Sequence, residues 1–288
     1  MADFINSSTE QRQPITSYMD VGAEHANSTI EPLVNRLVEQ LRADDDPETQ
    51  ERYTPFLRAV HSGSRGYAQR VPGSLTTRLH DFLSRHELHV FLIYDWQKRK
   101  YRNIREQFPL AVELTQAIGK REKIPHPFYD EKPSTLSVDF LLSKQDGGWE
   151  AVDFKEKKDY AKKKTRQKLD LAAITLAEAG VPHTVMTEDD IPMTIIRNYR
   201  FLRIHSLQFD PPPLASAAMD LVESPLRQQL ISGRTTIFEA ALRVSGSTGI
   251  EAFRVARACY WLLANRRWPV DLNYPVGPDY TLQFLPLL

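Results

Sequence analysis

A single cysteine, Cys259, occurs in the 288 residues. One thiol can close no disulfide within the chain and build no cysteine-based zinc site, which suits a reducing compartment. Its apolar neighbours mark Cys259 as a packing residue. Long apolar runs are missing as well, since no stretch reaches the roughly 18 apolar residues needed to span a bilayer. The N-terminal Met-Ala-Asp-Phe-Ile-Asn has neither the basic region nor the apolar core of a secretory signal. A soluble, cytoplasmic protein with no membrane partner is expected. Excess charge is also absent, because 37 Lys and Arg offset 37 Asp and Glu. Any affinity for nucleic acid must then come from local patches.

The chain is long enough for one large or two small domains, and two are expected. Residues 1–27 are polar and too poor in large apolar groups to offset the entropy of ordering, so they read as a disordered tail. Ile30, Leu33, Val34, Leu37, Val38 and Leu41 then recur at helical spacing. That stripe packs either on its own domain or on a partner. A catalytic domain is expected over 28–209, ending at the stiff Asp210-Pro-Pro-Pro213. Over 210–288 three helical patterns precede Pro269-Val-Asp-Leu272 and Tyr280 to Leu285, which suggest a two-stranded wing and hence a winged-helix-like module.

The chemistry concentrates between Ser84 and Lys155. Ser137-Val-Asp-Phe-Leu-Leu142 is apolar except for Asp139, and a carboxylate in a sheet strand is costly without a partner. In Glu150-Ala-Val-Asp-Phe-Lys155 the period of two sets Val152 and Phe154 on one face, Asp153 and Lys155 on the other. Asp139, Asp153 and Glu87 offer hard oxygen ligands to a divalent cation, with Lys155 beside them for a water or a phosphate oxygen. On spacing alone Asp153 and Lys155 also read as a solvated strand face. Ser84-Arg-His-Glu87 likewise reads as a plain capping box.

Cationic patches accompany this stretch. Arg65 and Arg70 lie in a basic, glycine-containing loop that follows a phosphate backbone or is merely surface. Lys157, Lys158, Lys162, Lys163 and Lys164 crowd the start of a helix, where they oppose the macrodipole unless an outside anion is bound there. Strand, helix and strand over 150–186 predict parallel pairing within one mixed sheet.

Leu83-Ser-x-x-Glu87-Leu88, Trp96, Ile104-Arg-Glu-Gln-Phe-Pro-Leu110, Ile124-Pro-His126-Pro127, Val138-Asp139-Phe-Leu and Thr187-x-x-Asp190-Ile together resemble, in register, the TnsA endonuclease subunit of heteromeric cut-and-paste transposases. The resemblance covers roughly residues 78 to 205. It implies a restriction-endonuclease-like α/β core with catalytic Glu87, Asp139 and Lys155, and His126 lining a DNA cleft. Asp153 departs from the family's best-known member, which carries Gln there, and instead fits the wider Asp, then Asp or Glu, x, Lys pattern. The implied activity is Mg²⁺-dependent cutting at the 5′ ends of a transposon, with Mn²⁺ as a substitute and Glu87, Asp139 and Asp153 as metal ligands. The implied partners are transposon-end DNA, the DDE-type transposase TnsB and the AAA+ ATPase regulator TnsC, in a bacterial, DNA-associated setting. A stand-alone restriction or repair nuclease and a non-catalytic assembly adaptor are the alternatives.

Overall fold

The computed structural model describes residues 24–43, 47–59, 68–76, 78–206 and 212–285. Helix α1 (Glu24–Ala43) begins four residues before the expected start, and α2 (Pro47–Arg52) follows. The tail before residue 24, Arg65 and the first half of the proline stretch lie outside the described residues. A small antiparallel pair, β1 (Gln69–Pro72) and β2 (Leu79–Phe82), leads into α3 (Arg85–Asp95). Next come β3 (Tyr101–Leu110), α4 (Val112–Arg121) and a two-residue hairpin pair, β4 (Phe128–Tyr129) with β5 (Lys132–Pro133). Strands β6 (Leu136–Lys144) and β7 (Trp149–Phe154), short α5 (Lys157–Tyr160), α6 (Lys163–Glu178) and β8 (His183–Met186) complete the main sheet.

The main sheet has the order β3-β6-β7-β8, antiparallel except for the β7–β8 pair. It is the mixed sheet that the strand–helix–strand pattern predicts. Ile30, Leu37 and Leu41 of α1 pack with Leu114, Ile118, Leu171 and Leu176 over Phe108, Leu110, Val138, Leu141 and Ala151. The α1 stripe therefore covers its own domain. On the other face Phe82 and the α3 residues Leu88, Phe91 and Leu92 meet Ile104, Phe140, Leu142, Val152 and Phe154.

One irregularity decides where the site forms. In a regular strand Ile104, Phe108 and Leu110 would share a face, yet Ile104 joins one core and Phe108 and Leu110 the other. The same exchange separates Val138 from Phe140 and Leu142. Both reversals lie at the Gln107–Asp139 level, where Gln107 adopts a left-handed φ of 48°. A long side chain in that region is strained, and such positions persist where function or packing demands them.

Beside it lies a buried ionic cluster. Arg78 donates to both Glu106 oxygens at 2.8 and 2.6 Å, and Nδ1 of His80 stands 2.8 Å from Glu106 Oε2. Thr76 closes the other side of His80 at 2.8 Å. Burial holds His80 below its usual range despite the neighbouring carboxylate. Glu106 is pushed up by burial, but His80 and Arg78 outweigh that and leave it well below the usual carboxylate range.

Helix α7 (Met193–Arg203) turns from the sheet to the C-terminal helices α8 (Ser216–Leu230), α9 (Ile237–Thr248) and α10 (Ala252–Ala264). Thr236 and Glu239 form a capping box at the start of α9, and Gly249, at φ 72°, ends it. Leu202 of α7 and the fully buried Cys259 belong to the core of these helices, and Asn198 bonds the backbone of Leu272, Tyr274 and Val276. Of the two-stranded wing expected over 269–285, the described residues form one antiparallel bridge, Val270–Phe284, with the Asp271 amide donating to Gln283 O at 2.7 Å and the Leu285 amide to Pro269 O at 2.9 Å, beside a second bridge, Thr236–Thr281. Pro269, Pro275 and Pro278 supply no N–H to extend a ladder there.

Two outcomes are expected from the buried cluster. Glu106→Gln should lower stability at neutral pH by about 3–5 kcal/mol, because it removes the charge between Arg78 and His80. Both depressed groups bind more protons when unfolded, so stability is fully present above about pH 6.5 and falls on acidification, first through His80 and then through Glu106. Urea unfolding from pH 7 to pH 4 measures both, and the variant should show the shallower loss below pH 4.5.

Candidate active site

The β6–β7 ladder ends at Phe140 and Val152, and side chains take over from it. Asp139 Oδ2 accepts from the Phe154 amide at 2.8 Å, and Asp153 Oδ1 lies 3.4 Å from the Asp139 amide. Lys155 bridges the two aspartates, its Nζ donating to Asp139 Oδ2 at 2.9 Å and Asp153 Oδ1 at 3.2 Å. The backbone of Lys155 bonds Met186 O of β8 at 2.9 Å, so the parallel pair holds the base of this side chain. Asp139, Asp153 and Lys155 are therefore brought together as the sequence pattern expects.

Glu87 opens α3 on the neighbouring side. Its oxygens accept from the Leu83 amide at 2.9 Å and the Ser84 hydroxyl at 3.0 Å, while Ser84 Oγ accepts from the Glu87 amide. The capping box is thus present, and Glu87 still acts electrostatically on Asp139 and Lys155. Cap and site member are one residue.

Two members escape the sequence reading. Gln107 donates from Nε2 to Asp139 Oδ1 at 3.3 Å, faces Glu87, and receives the Ser137 hydroxyl at 3.2 Å. Its signal was its place in the Ile-Arg-Glu-Gln-Phe-Pro-Leu word. His183 sits 2.7 Å from Asp153 Oδ2, with both side chains nearly inaccessible. No local pattern marks it, because the parallel β7–β8 register creates the contact.

Charge explains the response of each group. Burial raises the Asp139 carboxyl first, repulsion from Asp153 and Glu87 adds to it, and Lys155 only partly offsets both, so the group is pushed up to about 7. Burial likewise lifts Glu87 against the bonds from Leu83 and Ser84. Asp153 behaves oppositely: burial is outweighed by the bond to His183 and by Lys155, which hold it below its usual range. Burial favours a neutral Lys155, but Asp139 and Asp153 win and raise it.

Among the described residues no group of three or more His, Cys, Asp or Glu is arranged to hold one metal ion. Glu87 is turned onto its own helix, and the Lys155 ammonium stands between the aspartates. The donor chemistry still fits a hard divalent cation. Three carboxylates share a single lysine; burial lifts both Asp139 and Glu87, and for Asp139 the charges of Asp153 and Glu87 add to it.

The remaining candidates scatter. His126 is anchored by Thr115 Oγ1 at 2.9 Å and Pro127 O at 3.0 Å. Arg70 lies 3.5 Å from Asp81. Lys157 pairs with Asp189, Lys158 with Glu156 at 2.5 Å, and Lys162 with Asp159 at 2.5 Å. Lys163 and Lys164 are exposed in the first turn of α6, which holds no acidic residue. No helix among the described residues is long and apolar enough to cross a membrane.

Sheet, site and helices define a mixed α/β protein with a carboxylate–lysine cluster where two central strands diverge. No family model matches the chain. It is similar to the transposon Tn7 transposition protein TnsA of Escherichia coli, with 31% identity over 152 residues, or 52% of this chain and 55% of that protein. The chain is TnsA-like over that region and spans about half the length of the curated relative it matches.

His183→Ala should destabilise the protein by about 1.5–3 kcal/mol, the usual worth of a hydrogen bond to a charged group. Equilibrium urea unfolding checks this, and a loss under 0.5 kcal/mol, well short of about 1.5, would show that the Asp153 contact contributes little.

Proposed function

We propose that this chain is a divalent-metal-dependent DNA endonuclease subunit of a Tn7-type transposition complex, cutting at the 5′ ends of the element. The observation that carries this reading is the Asp139–Lys155–Asp153 cluster, with Glu87 acting on it, in a chain similar to a transposition protein. On this reading the four-stranded sheet with α3 and α6 is a restriction-endonuclease-like core. The C-terminal helices with their bridged tail form a winged-helix-like module. A DDE-type transposase and an ATPase regulator, the proposed partners, complete the reaction.

Glu87, Asp139 and Asp153 would hold Mg²⁺, which supplies Lewis-acid polarisation of a phosphodiester when bound. The Lys155 ammonium stands on carboxylate oxygens that a cation would also use. In the reaction Lys155 would donate to a phosphate oxygen or orient the attacking water. Gln107 holds the Asp139 carboxylate in place through Oδ1. His183 fixes Asp153, so that one aspartate stays ionised and rigid beside its more responsive neighbour. Near zero net charge, the isolated chain should hold DNA weakly, so cutting should depend on partners.

A strand-resolved nicking assay on DNA carrying the element's ends, with Mg²⁺, tests the proposal. The expected result is nicking at the 5′ ends that requires the cognate transposase and falls about 10²–10⁴-fold in Lys155→Ala. Equal cutting by the chain alone would favour a stand-alone nuclease. Absence of any cutting that depends on Lys155 would favour an assembly adaptor.

A further inference from the structure

Helix α3 carries chemistry on two sides. Arg85, Leu88 and His89 share one face by helical spacing, while Glu87 projects roughly opposite. The Arg85 face borders a pocket of about 320 Å³, completed by Gln69 of β1 and by Met193 and Arg200 of α7. Arg85 and Arg200 are exposed at its rim, so the site is open to a ligand larger than the pocket itself.

Charge there is one-sided. His89 is 5% exposed, and its Nδ1 is buried with no hydrogen-bond partner. Apart from burial, the groups that act on His89 are His86, Arg200 and Arg85, which are all cationic or basic. The first turn of α3 adds the positive end of the helix dipole. In the tautomer that protonates Nδ1 this is a buried donor without a partner, set among cations beside a helix N-terminus, and an anion is the acceptor such surroundings suit. The ring of His86 meets that of His89 edge-on at 6.3 Å and stacks on Phe154 at 4.6 Å between centroids, so it links the pocket residue His89 to the end of β7, next to Asp153 and Lys155.

We propose that this pocket binds a backbone phosphate of the nucleic acid substrate, a phosphodiester other than the one cleaved, held between Arg85 and Arg200 above His89. The assignment rests on the nuclease reading, since it gives the occupant. A strand crossing the α3 N-terminus then presents one phosphate to the Glu87 side and another to the Arg85 side. The helix is about 10–12 Å across with its side chains, a span that a few nucleotides cover. Such a contact sets register on the duplex and carries no sequence information.

The test is binding of a fluorescently labelled DNA duplex to the full chain in chelator, read by anisotropy over a range of salt concentrations. The variants are Arg85→Gln with Arg200→Gln, and a control, Arg36→Gln with Arg42→Gln, on exposed positions of α1. The first pair should weaken binding about tenfold or more and reduce the salt slope by about 1–2, with an unchanged melting temperature and circular dichroism spectrum. The control pair should leave the slope as it is. An unchanged slope in Arg85→Gln/Arg200→Gln, or an equal drop in the control, overturns the proposal.

If the native chain alone binds no duplex, as its near-zero net charge allows, inorganic phosphate tests the pocket by itself while the nicking assay with the transposase tests the nuclease reading. Phosphate that raises the melting temperature of the native chain but not of the double variant, at matched ionic strength, retains an anion site. No difference removes it. A pocket that answers to phosphate while the DNA salt slope stays unchanged contradicts the nucleic acid assignment.

Discussion

One ammonium group serves two buried carboxylates, and the centre of this protein is arranged around that shortage of positive charge. Lys155 reaches both Asp139 and Asp153 only because β6 and β7 stop pairing at Phe140 and Val152. From there the carboxylates accept the backbone amides that a continued ladder would have used. The left-handed Gln107 belongs to the same event: it reverses the facing of β3 and lends its amide to Asp139. Backbone strain and charge frustration thus fall on one level of the sheet, as expected where function overrides local rules.

The surroundings keep that level rigid. Arg78, His80 and Glu106 lock β2 against β3 one residue before Gln107, through bonds with little access to water. His183 ties Asp153 to β8. Glu87 is fixed by capping its own helix, so its contribution to the site is positioned without a dedicated support. The C-terminal helices are no loose appendage, because Asn198 and Leu202 of α7 join their core. Trp96, at the end of α3, stacks on Tyr199 at 4.7 Å.

Legibility in the sequence followed the range of the interactions. The α1 stripe, the capping word at Ser84 and the alternation in Glu150 to Lys155 are local signals, and the elements they predict form. Asp139, Asp153 and Lys155 were legible because an isolated carboxylate in an apolar strand and a paired acid and amine stand out physically. Gln107 and His183 were not, since one depends on a left-handed φ and the other on strand register. The wing is shortened to a bridge for a local reason, since prolines in the first segment and in the connection withhold the amides a longer ladder needs. Charge runs were the weakest guide, for Lys157, Lys158 and Lys162 find carboxylates of their own.

The carboxylates gathered around Lys155 are proposed as a cation site for which lysine and metal compete. Calorimetric titration of Mn²⁺ into the full chain and into Asp139→Asn and Lys155→Met variants tests it most directly. Measurable binding by the native chain, loss of that binding in Asp139→Asn, and tighter binding in Lys155→Met, where the competitor is gone, are expected. Binding that survives Asp139→Asn unchanged, or that Lys155→Met abolishes, would contradict it.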